Sequence, residues 1–189
     1  EIPLRLVGSE MCIRDRAYDG TRYNGWQKQG NTDKTIQGKL EQILLKMTGE
    51  EIEVHGSGRT DAGVHAKGQV ANFHIDWKEL EKNGKNVSDL KSKKEEYGGK
   101  KTPDQIMEYI NEYLPEDIAV LSCEAVPERF HSRLSAVKKT YCYQLEMGAK
   151  KDVFQRNYYY GLGNMLDVDS MKEAAAFPVS YTHLRAHET

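Results

Sequence analysis

The stretch GSGRTDAGVHAKGQVANF (residues 56–73) joins a glycine-punctuated loop to a segment in which polar and apolar residues alternate. Glycine lets a backbone bend tightly or approach another group closely, and here glycines bracket Arg59 and Asp61. The alternation continues through QVANFHI (69–75), which predicts a strand with one buried side. The stretch therefore predicts an accessible loop that leads directly into a strand of the core.

The residues before this stretch predict a helix between two strands. In TIQGKLEQILLKMTG (35–49), apolar residues recur at helical spacing, with Thr35 as a candidate N-cap and Gly49 as the C-terminal stop. EIEV (51–54) alternates and predicts a short strand. The pattern also needs a strand ahead of YDGTRYNGW (18–26), whose glycines indicate a turn toward the helix.

The residues after the stretch predict a second helix and two more strands. TPDQ (102–105) combines a threonine cap, a proline at the first helical position and a glutamine three residues after the cap. The helix that follows ends at Pro115. Segments 117–126 and 137–147 alternate and predict strands, and a short helix begins at about Val168.

Up to Val126 these elements spell β-α-β-β-α-β, the split βαβ or ferredoxin-like arrangement. The sequence thus predicts an α+β fold with an antiparallel sheet and helices on one face. We expect five segments: a non-native segment at 1–16, a ferredoxin-like half at 17–126, a charged insertion within it at 76–104, the start of a second half at 127–177, and a non-native tail at 178–189.

The two terminal assignments depend on a resemblance and on the residue pattern. SEMCIRDR (9–16) and VSYTHLRAHET (179–189) resemble translated sequencing-adapter read-through. In addition, Arg16 falls where a half-buried strand is needed, and the tail has no apolar period. We therefore expect native sequence from about Ala17 to about Phe177.

Composition describes a protein without a membrane span. The net charge is −2, and no apolar run approaches the ~18–20 residues that a spanning helix needs. The three widely spaced cysteines favour reduced thiols in a cytoplasmic protein. The segment from Val126 to Tyr160 contains seven Lys or Arg residues and only three acids, and its basic residues are interleaved with aromatic ones. That pattern suits an RNA backbone with bases to stack, or equally a solvated basic face over core tyrosines.

Pattern alone leaves three roles open for Asp61. It is a catalytic carboxylate beside Arg59, a metal ligand together with His55, His65 and His74, or a turn residue that caps its own backbone. The separations of six, four and nine residues match no compact helical metal motif. The spacing therefore argues against the metal site and leaves the other two roles open.

Two aromatic segments also allow two interpretations each. YDGTRYNGWQKQ (18–29) is either a platform for a base or a strand-to-helix connection with Trp26 against the core. Tyr141 lies in the alternating segment that follows RFHSRLSA (129–136). For Tyr141, periodicity by itself favours a core tyrosine in a strand.

Five blocks together resemble the tRNA pseudouridine synthase A family. They are, in order, YDGTRYNGWQ, TIQGKLE, GSGRTDAGVHAKGQVANF, INEYLPEDIAV and FHSRLSAVKKTYCY. The resemblance implies the pseudouridine synthase fold and isomerisation of uridine to pseudouridine in the anticodon stem-loop of tRNA, at tRNA positions 38, 39 and 40. It also implies base flipping, a homodimer, and neither a cofactor nor a metal.

The resemblance assigns roles to four residues. Asp61 matches the catalytic aspartate of the family, and Arg59 matches the arginine that helps open the stem and holds the flipped nucleotide. Tyr141 matches the tyrosine that packs against the target base, and Arg133 matches a basic position of the substrate cleft. His65 is then a structural residue of the loop.

The resemblance also has a departure. In the family, a second ferredoxin-like unit carries an arginine that pairs with the catalytic aspartate, and nothing after Phe177 resembles that segment. We therefore expect the 189 residues to be an incomplete form with low stability and little or no activity. The alternative is a non-catalytic RNA-binding ferredoxin-like module.

Overall fold

A computed structural model describes residues 9–76, 102–148 and 152–177. Contacts divide the chain into one unit that ends at Lys139 and a second that begins at Thr140. Most of the charged insertion and the whole terminal tail predicted from the sequence lie outside the described residues. The boundaries predicted for the segments, and the non-native origin of two of them, stay predictions.

In the first unit, the described elements form a four-stranded antiparallel sheet and two helices. The sheet order is β2-β3-β1-β4, the strand order of a split βαβ unit. This order confirms the α+β, ferredoxin-like prediction. The elements are β1 (Ser9–Tyr18), a 3-10 turn (Gly20–Arg22), α1 (Ile36–Thr48), β2 (His55–Gly56), β3 (Ala66–Ile75), α2 (Pro103–Tyr113) and β4 (Ile118–Val126).

The second unit has less regular structure among its described residues. Strands β5 (Leu145–Glu146) and β6 (Tyr160–Gly161) form a parallel pair. Helix α3 (Val168–Ala175) follows, as its predicted start indicated. Throughout the described ranges, no helix combines the length and the hydropathy that crossing a membrane requires.

The helices of the first unit begin and end where their caps predict. Thr35 precedes α1, and its Oγ1 accepts a hydrogen bond from the Gly38 amide at 3.2 Å. Thr102 forms a complete capping box with Gln105 at the start of α2. The two helices contact each other, as helices on the same face of a sheet do.

The core of the first unit lies between these helices and the sheet. Antiparallel register places Met11 of β1 opposite Phe73 of β3, and Ile13 opposite Ala71. All four side chains are buried, and they belong to one cluster with the buried residues of α1, α2 and β4. Burying each large apolar side chain contributes roughly 1.5–3 kcal/mol, so this cluster holds the sheet that carries the loop.

Strand β1 is irregular where it approaches the loop. Its register with β3 shifts on both sides of the pair formed by Arg16 and Gln69. Arg16 is fully buried, with Cζ 4.4 Å from the ring centroid of Trp26 and Nε donating to the Gln69 carbonyl at 3.3 Å. A cation stacked on an aromatic face explains how an arginine occupies the strand position that the sequence made suspect.

Two predicted strands are wrong in extent. EIEV (51–54) has no strand, because the Val54 amide donates to the Glu41 side chain of α1 instead of to a neighbouring strand. Segment 137–147 is a strand only at Leu145–Glu146, where β6 pairs with it. Alternation indicates which residues share a side, but a strand also needs a partner backbone.

Candidate active site

The loop at residues 57–65 connects the edge strand β2 to the inner strand β3. The Ser57 amide donates to the Val70 carbonyl at 2.8 Å, and the Val64 amide donates to the Asp61 carbonyl at 3.2 Å. The first bond extends the pairing of the two strands, and the second closes the turn around Ala62. Asp61 therefore lies at a tight turn between two paired strands, as the sequence predicts.

The segment at residues 18–26 also forms hydrogen bonds with the backbone of the loop. The Trp26 amide donates to the Thr60 carbonyl at 3.0 Å, and the Gly63 amide donates to the Tyr23 carbonyl at 3.2 Å. Trp26 itself is only 3% exposed. This burial confirms the strand-to-helix connection with Trp26 against the core, and it excludes a base platform at that ring.

Two glycines of this segment allow the loop to approach. A Cβ at Gly20 would lie 2.0 Å from the Val64 carbonyl oxygen, and a Cβ at Gly25 would lie 2.5 Å from that of Thr60. Gly25 also has φ +93°, which other residues rarely adopt. The glycines of YDGTRYNGW are therefore needed because the loop packs directly on their backbone.

The side chains of Arg59 and Asp61 are exposed above this fixed backbone. Within the described ranges, neither makes a hydrogen bond or an ion pair, and they are not paired with each other. The turn is closed by the Asp61 carbonyl and not by its carboxylate, so the side-chain cap considered from the sequence is absent from the described structure. Among those residues, the carboxylate has no partner that a ligand would have to displace.

Further cations lie on the same unit. Lys139 reaches the loop, since its Nζ would be 3.6 Å from a Cβ at Gly58. Arg133 is exposed on a turn whose neighbour Ser132 is buried. Ser132 donates through Oγ to the His55 carbonyl at 2.7 Å, and its amide donates to Asn72 Oδ1 at 2.8 Å. The turn that carries Arg133 is thus bound to β2 and β3.

Comparisons with known proteins identify relatives of this chain. A family model described as tRNA pseudouridine synthase matches residues 16–134. A "tRNA pseudouridine synthase A 2" of Bacillus cereus is 42% identical over 158 residues, which are 84% of this chain and 56% of the relative. A "tRNA pseudouridine synthase A 1" of Clostridium tetani is 41% identical over 176 residues, 90% of this chain and 63% of the relative.

The chain belongs to the tRNA pseudouridine synthase A family. It spans little more than half the length of the curated relatives it matches. The family model covers the loop, strands β2, β3 and β4, the end of β1 from Arg16 onward, and Arg133. Tyr141 lies outside the residues that this model matches, so its role stays a prediction.

Tyr141, the residue that family resemblance assigns to the target base, belongs to the second unit. Its side chain is 67% exposed, and its segment is not a strand at that position. The core tyrosine favoured by periodicity is therefore wrong.

The histidines near the loop have structural contacts. His65 Nδ1 accepts from the Gly20 amide at 3.1 Å and lies 3.0 Å from Asp19 Oδ1. His55 stacks on His131 with centroids 5.2 Å apart. In the part of the chain that the structure describes, no three His, Cys, Asp or Glu residues are grouped so as to hold a metal ion. These contacts agree with His65 as a residue of the loop's framework.

Sequence reasoning missed Gln69 and Tyr18. Gln69 is 8% exposed, and its Nε2 donates to the Gly58 carbonyl at 2.6 Å. Tyr18 is 4% exposed, and its hydroxyl bonds to both Gln69 Oε1 and Thr60 Oγ1. A signal was present: Gln69 shares the period of the apolar Ala71, and a polar residue on a buried side needs partners.

Proposed function

We propose that this chain acts in the isomerisation of uridine to pseudouridine in the anticodon stem-loop of tRNA, with Asp61 as the carboxylate that reacts at the target nucleotide. The observation that carries the proposal is the exposed carboxylate of Asp61 on a loop whose backbone is fixed from two sides. A rigid scaffold with an accessible acid is what a reaction at a sugar carbon requires. Membership of the family supports the same chemistry.

The reaction asks for few protein groups. The base must leave the stem, which costs a few kcal/mol. Cleavage of the C1′–N1 bond then builds positive charge on the sugar, and a carboxylate stabilises that charge, attacks it, or removes a sugar proton. The free uracil turns and bonds through C5, after which the C5 proton leaves. Asp61 is the carboxylate in this scheme.

Cations and an aromatic ring complete the proposal. Arg59, on the same loop, would hold the opened stem or the flipped nucleotide, and Arg133 and Lys139 would contact phosphates. All three are exposed. Tyr141, exposed in the second unit, would receive the target base. For the complete protein we also propose a homodimer that acts in the cytoplasm, as the family resemblance implies.

The decisive experiment follows loss of the C5 hydrogen. A tRNA transcript labelled with tritium at C5 of uridine releases tritium only when isomerisation occurs. We would assay the 189-residue chain and, in parallel, a chimera in which residues 16–148 replace the matching part of the Bacillus cereus relative. Both would be used in excess over RNA, so that a single turnover is visible.

In the chimera, Asp61→Asn should reduce release by at least about 10³-fold, the scale of loss for an essential catalytic carboxylate. Its affinity for the RNA should change by less than about threefold, because Asp61 carries no RNA-binding charge. Asp33→Asn, which alters another exposed acid of the same unit, is the matched control and should retain full activity. A chimera that binds RNA but releases no tritium would instead favour a non-catalytic binding module.

A further inference from the structure

Gln69, Tyr18 and Thr60 form a side-chain hydrogen-bond network beneath the loop. We propose that this network positions Asp61 and Arg59 for reaction, with Gln69 as its main positioning residue. The inference rests on the proposed function for its catalytic meaning, but its structural part can be tested without any RNA. It depends on three observations: the direction of each hydrogen bond, the burial of Tyr18 and Gln69, and the pairing of the two strands that carry these residues.

The donor and acceptor of each bond in the network follow from the chemistry of the groups it joins. The Gly58 carbonyl can only accept, so the amide group of Gln69 must point its Nε2 toward it, at 2.6 Å. Gln69 Oε1 can then only accept, and it takes the single proton of the Tyr18 hydroxyl. Because that proton is used, the Thr60 hydroxyl must donate to the Tyr18 oxygen, at 2.9 Å. The bond that each side chain makes therefore fixes whether its neighbour in the network donates or accepts.

Burial keeps the hydrogen bonds of this network formed. Tyr18 and Gln69 are 4% and 8% exposed, so an unmade bond could not be replaced by bulk water without cost. Burial also raises the pKa of the Tyr18 phenol, against smaller opposing effects of the Thr60 hydrogen bond and of the nearby Arg16 charge. The phenol therefore stays protonated near neutral pH and remains a donor.

The network fixes the loop on both sides of Arg59. Gln69 holds the carbonyl of Gly58 before it, while Tyr18 holds the hydroxyl of Thr60 after it. The Trp26 amide holds the Thr60 carbonyl as well, at 3.0 Å. Since Asp61 follows Thr60 directly, its Cα has little freedom to move even though its side chain is exposed.

Gln69 reaches this place because it shares the buried side of β3 with Ala71 and Phe73 and lies opposite Arg16 of β1. The register between the strands shifts before and after the pair of Arg16 with Gln69. The first shift adds one residue to β1 between Ile13 and Arg16, and bulges of this kind occur next to active sites. The apolar pairs further along the sheet remain in regular register.

The first test measures amide hydrogen exchange in the 189-residue chain, corrected for intrinsic rates. Gln69→Leu should raise the exchange of the Trp26, Gly63 and Val64 amides at least tenfold, while the core amides of β3 and α1 change less than threefold. Tyr18→Phe removes the hydroxyl but keeps the ring, and it should have the same local effect if Gln69→Leu does not fold. Asn111→Leu is the matched control, because Asn111 joins α2 to Val120 of β4 by two similar bonds, neither of which involves the loop.

The second test separates positioning from stability, using the active protein of the tritium assay with RNA now in excess, so that kcat and KM can be measured. Gln69→Leu should lower kcat by about 10- to 100-fold, the loss that a displacement of about 1 Å produces, with KM within threefold. Gln69→Glu keeps the acceptor for Tyr18 but places a second acceptor against the Gly58 carbonyl. It should behave like Gln69→Leu near neutral pH and recover loop protection in acid, where its carboxyl group can donate.

The outcomes distinguish this proposal from the proposed function. Loop amides that exchange equally in Gln69→Leu and in the unsubstituted chain would overturn the positioning role, whatever the activity. Faster loop exchange with unchanged kcat would also overturn it, provided that Asp61→Asn abolishes turnover. Turnover that survives Asp61→Asn would contradict the proposed function alone, since the exchange result does not depend on catalysis.

Discussion

Two regions of the chain are held in different ways. The loop at residues 57–65 has little regular secondary structure, yet hydrogen bonds from β3 and from the segment at 18–26 fix its backbone. The described part of the second unit contains a strand pair and a helix, yet none of its residues is buried. Regular structure and fixed position are thus separate properties in this molecule.

The difference lies in what each backbone contacts. A loop gains a defined position when its polar groups find buried partners, because breaking those bonds carries the full cost of exposing the partners unpaired. An isolated helix of eight residues, such as α3, gains little from its own hydrogen bonds. We therefore expect substitutions around the loop to change the free energy of unfolding far more than substitutions in the second unit.

The largest effect is expected from Gly25→Ala. The new Cβ would lie 2.5 Å from the Thr60 carbonyl oxygen, on a backbone with φ +93°. Strain and the clash together should lower the free energy of unfolding by about 2–4 kcal/mol, measured as a shift of the urea midpoint. Gly30→Ala is the control, because a Cβ there meets nothing within 4 Å, and it should change the free energy by less than about 0.5 kcal/mol. Equal midpoints for the two variants would contradict the close packing of the loop on Gly25.

A smaller loss is expected from Thr35→Ala at the start of α1. Thr35 is fully buried, and its Oγ1 accepts from the Gly38 amide. Removing such a cap costs about 1–2 kcal/mol, which urea unfolding of the first unit would reveal. Thr140→Ala changes an exposed threonine of the second unit and should change the free energy by less than about 0.5 kcal/mol. If both substitutions cost the same, the contrast between the two units would be wrong.

Local signals in the sequence predicted much of the first unit. The caps at Thr35 and Thr102 gave the helix starts, and alternation gave β3 and β4. These signals are readable because they depend on residues a few positions apart. EIEV failed because the Val54 amide bonds to Glu41, a residue of the preceding helix. Contacts of that kind follow from the tertiary fold and leave no period in the sequence.

The candidate site was predictable in its exposed residues and hidden in its buried ones. Asp61 and Arg59 were identified by a glycine-bracketed loop and by family resemblance, and the structure places both at the surface of one fixed turn. Gln69 was seen only as part of a strand, because its partners, the Gly58 carbonyl and the Tyr18 hydroxyl, lie on other segments of the chain. Alternation within β3 places Gln69 on the buried side, but which groups it bonds to follows only from the tertiary fold.

The smallest effect is expected from the pH dependence of α3. Asp167 caps this helix: its carboxylate accepts from the amides of Asp169 and Ser170, both at 3.1 Å, and from the Ser170 hydroxyl at 2.7 Å. The hydrogen bonds of Ser170, chiefly that of its side chain, hold the pKa of Asp167 below its ordinary value of 3.8. A carboxyl group with a lowered pKa stabilises the folded helix above the ordinary value and loses that effect as pH falls through the lowered one.

Amide exchange in α3, corrected for intrinsic rates, should therefore become faster as the pH falls below about 3.8. Asp167→Asn keeps a good capping side chain but removes its titration, so it should weaken this dependence. Asp169 pairs with Lys172 at 3.1 Å and is present in both proteins, so the difference between them isolates Asp167. Equal pH dependence in both proteins would mean that α3 is held by contacts other than its cap.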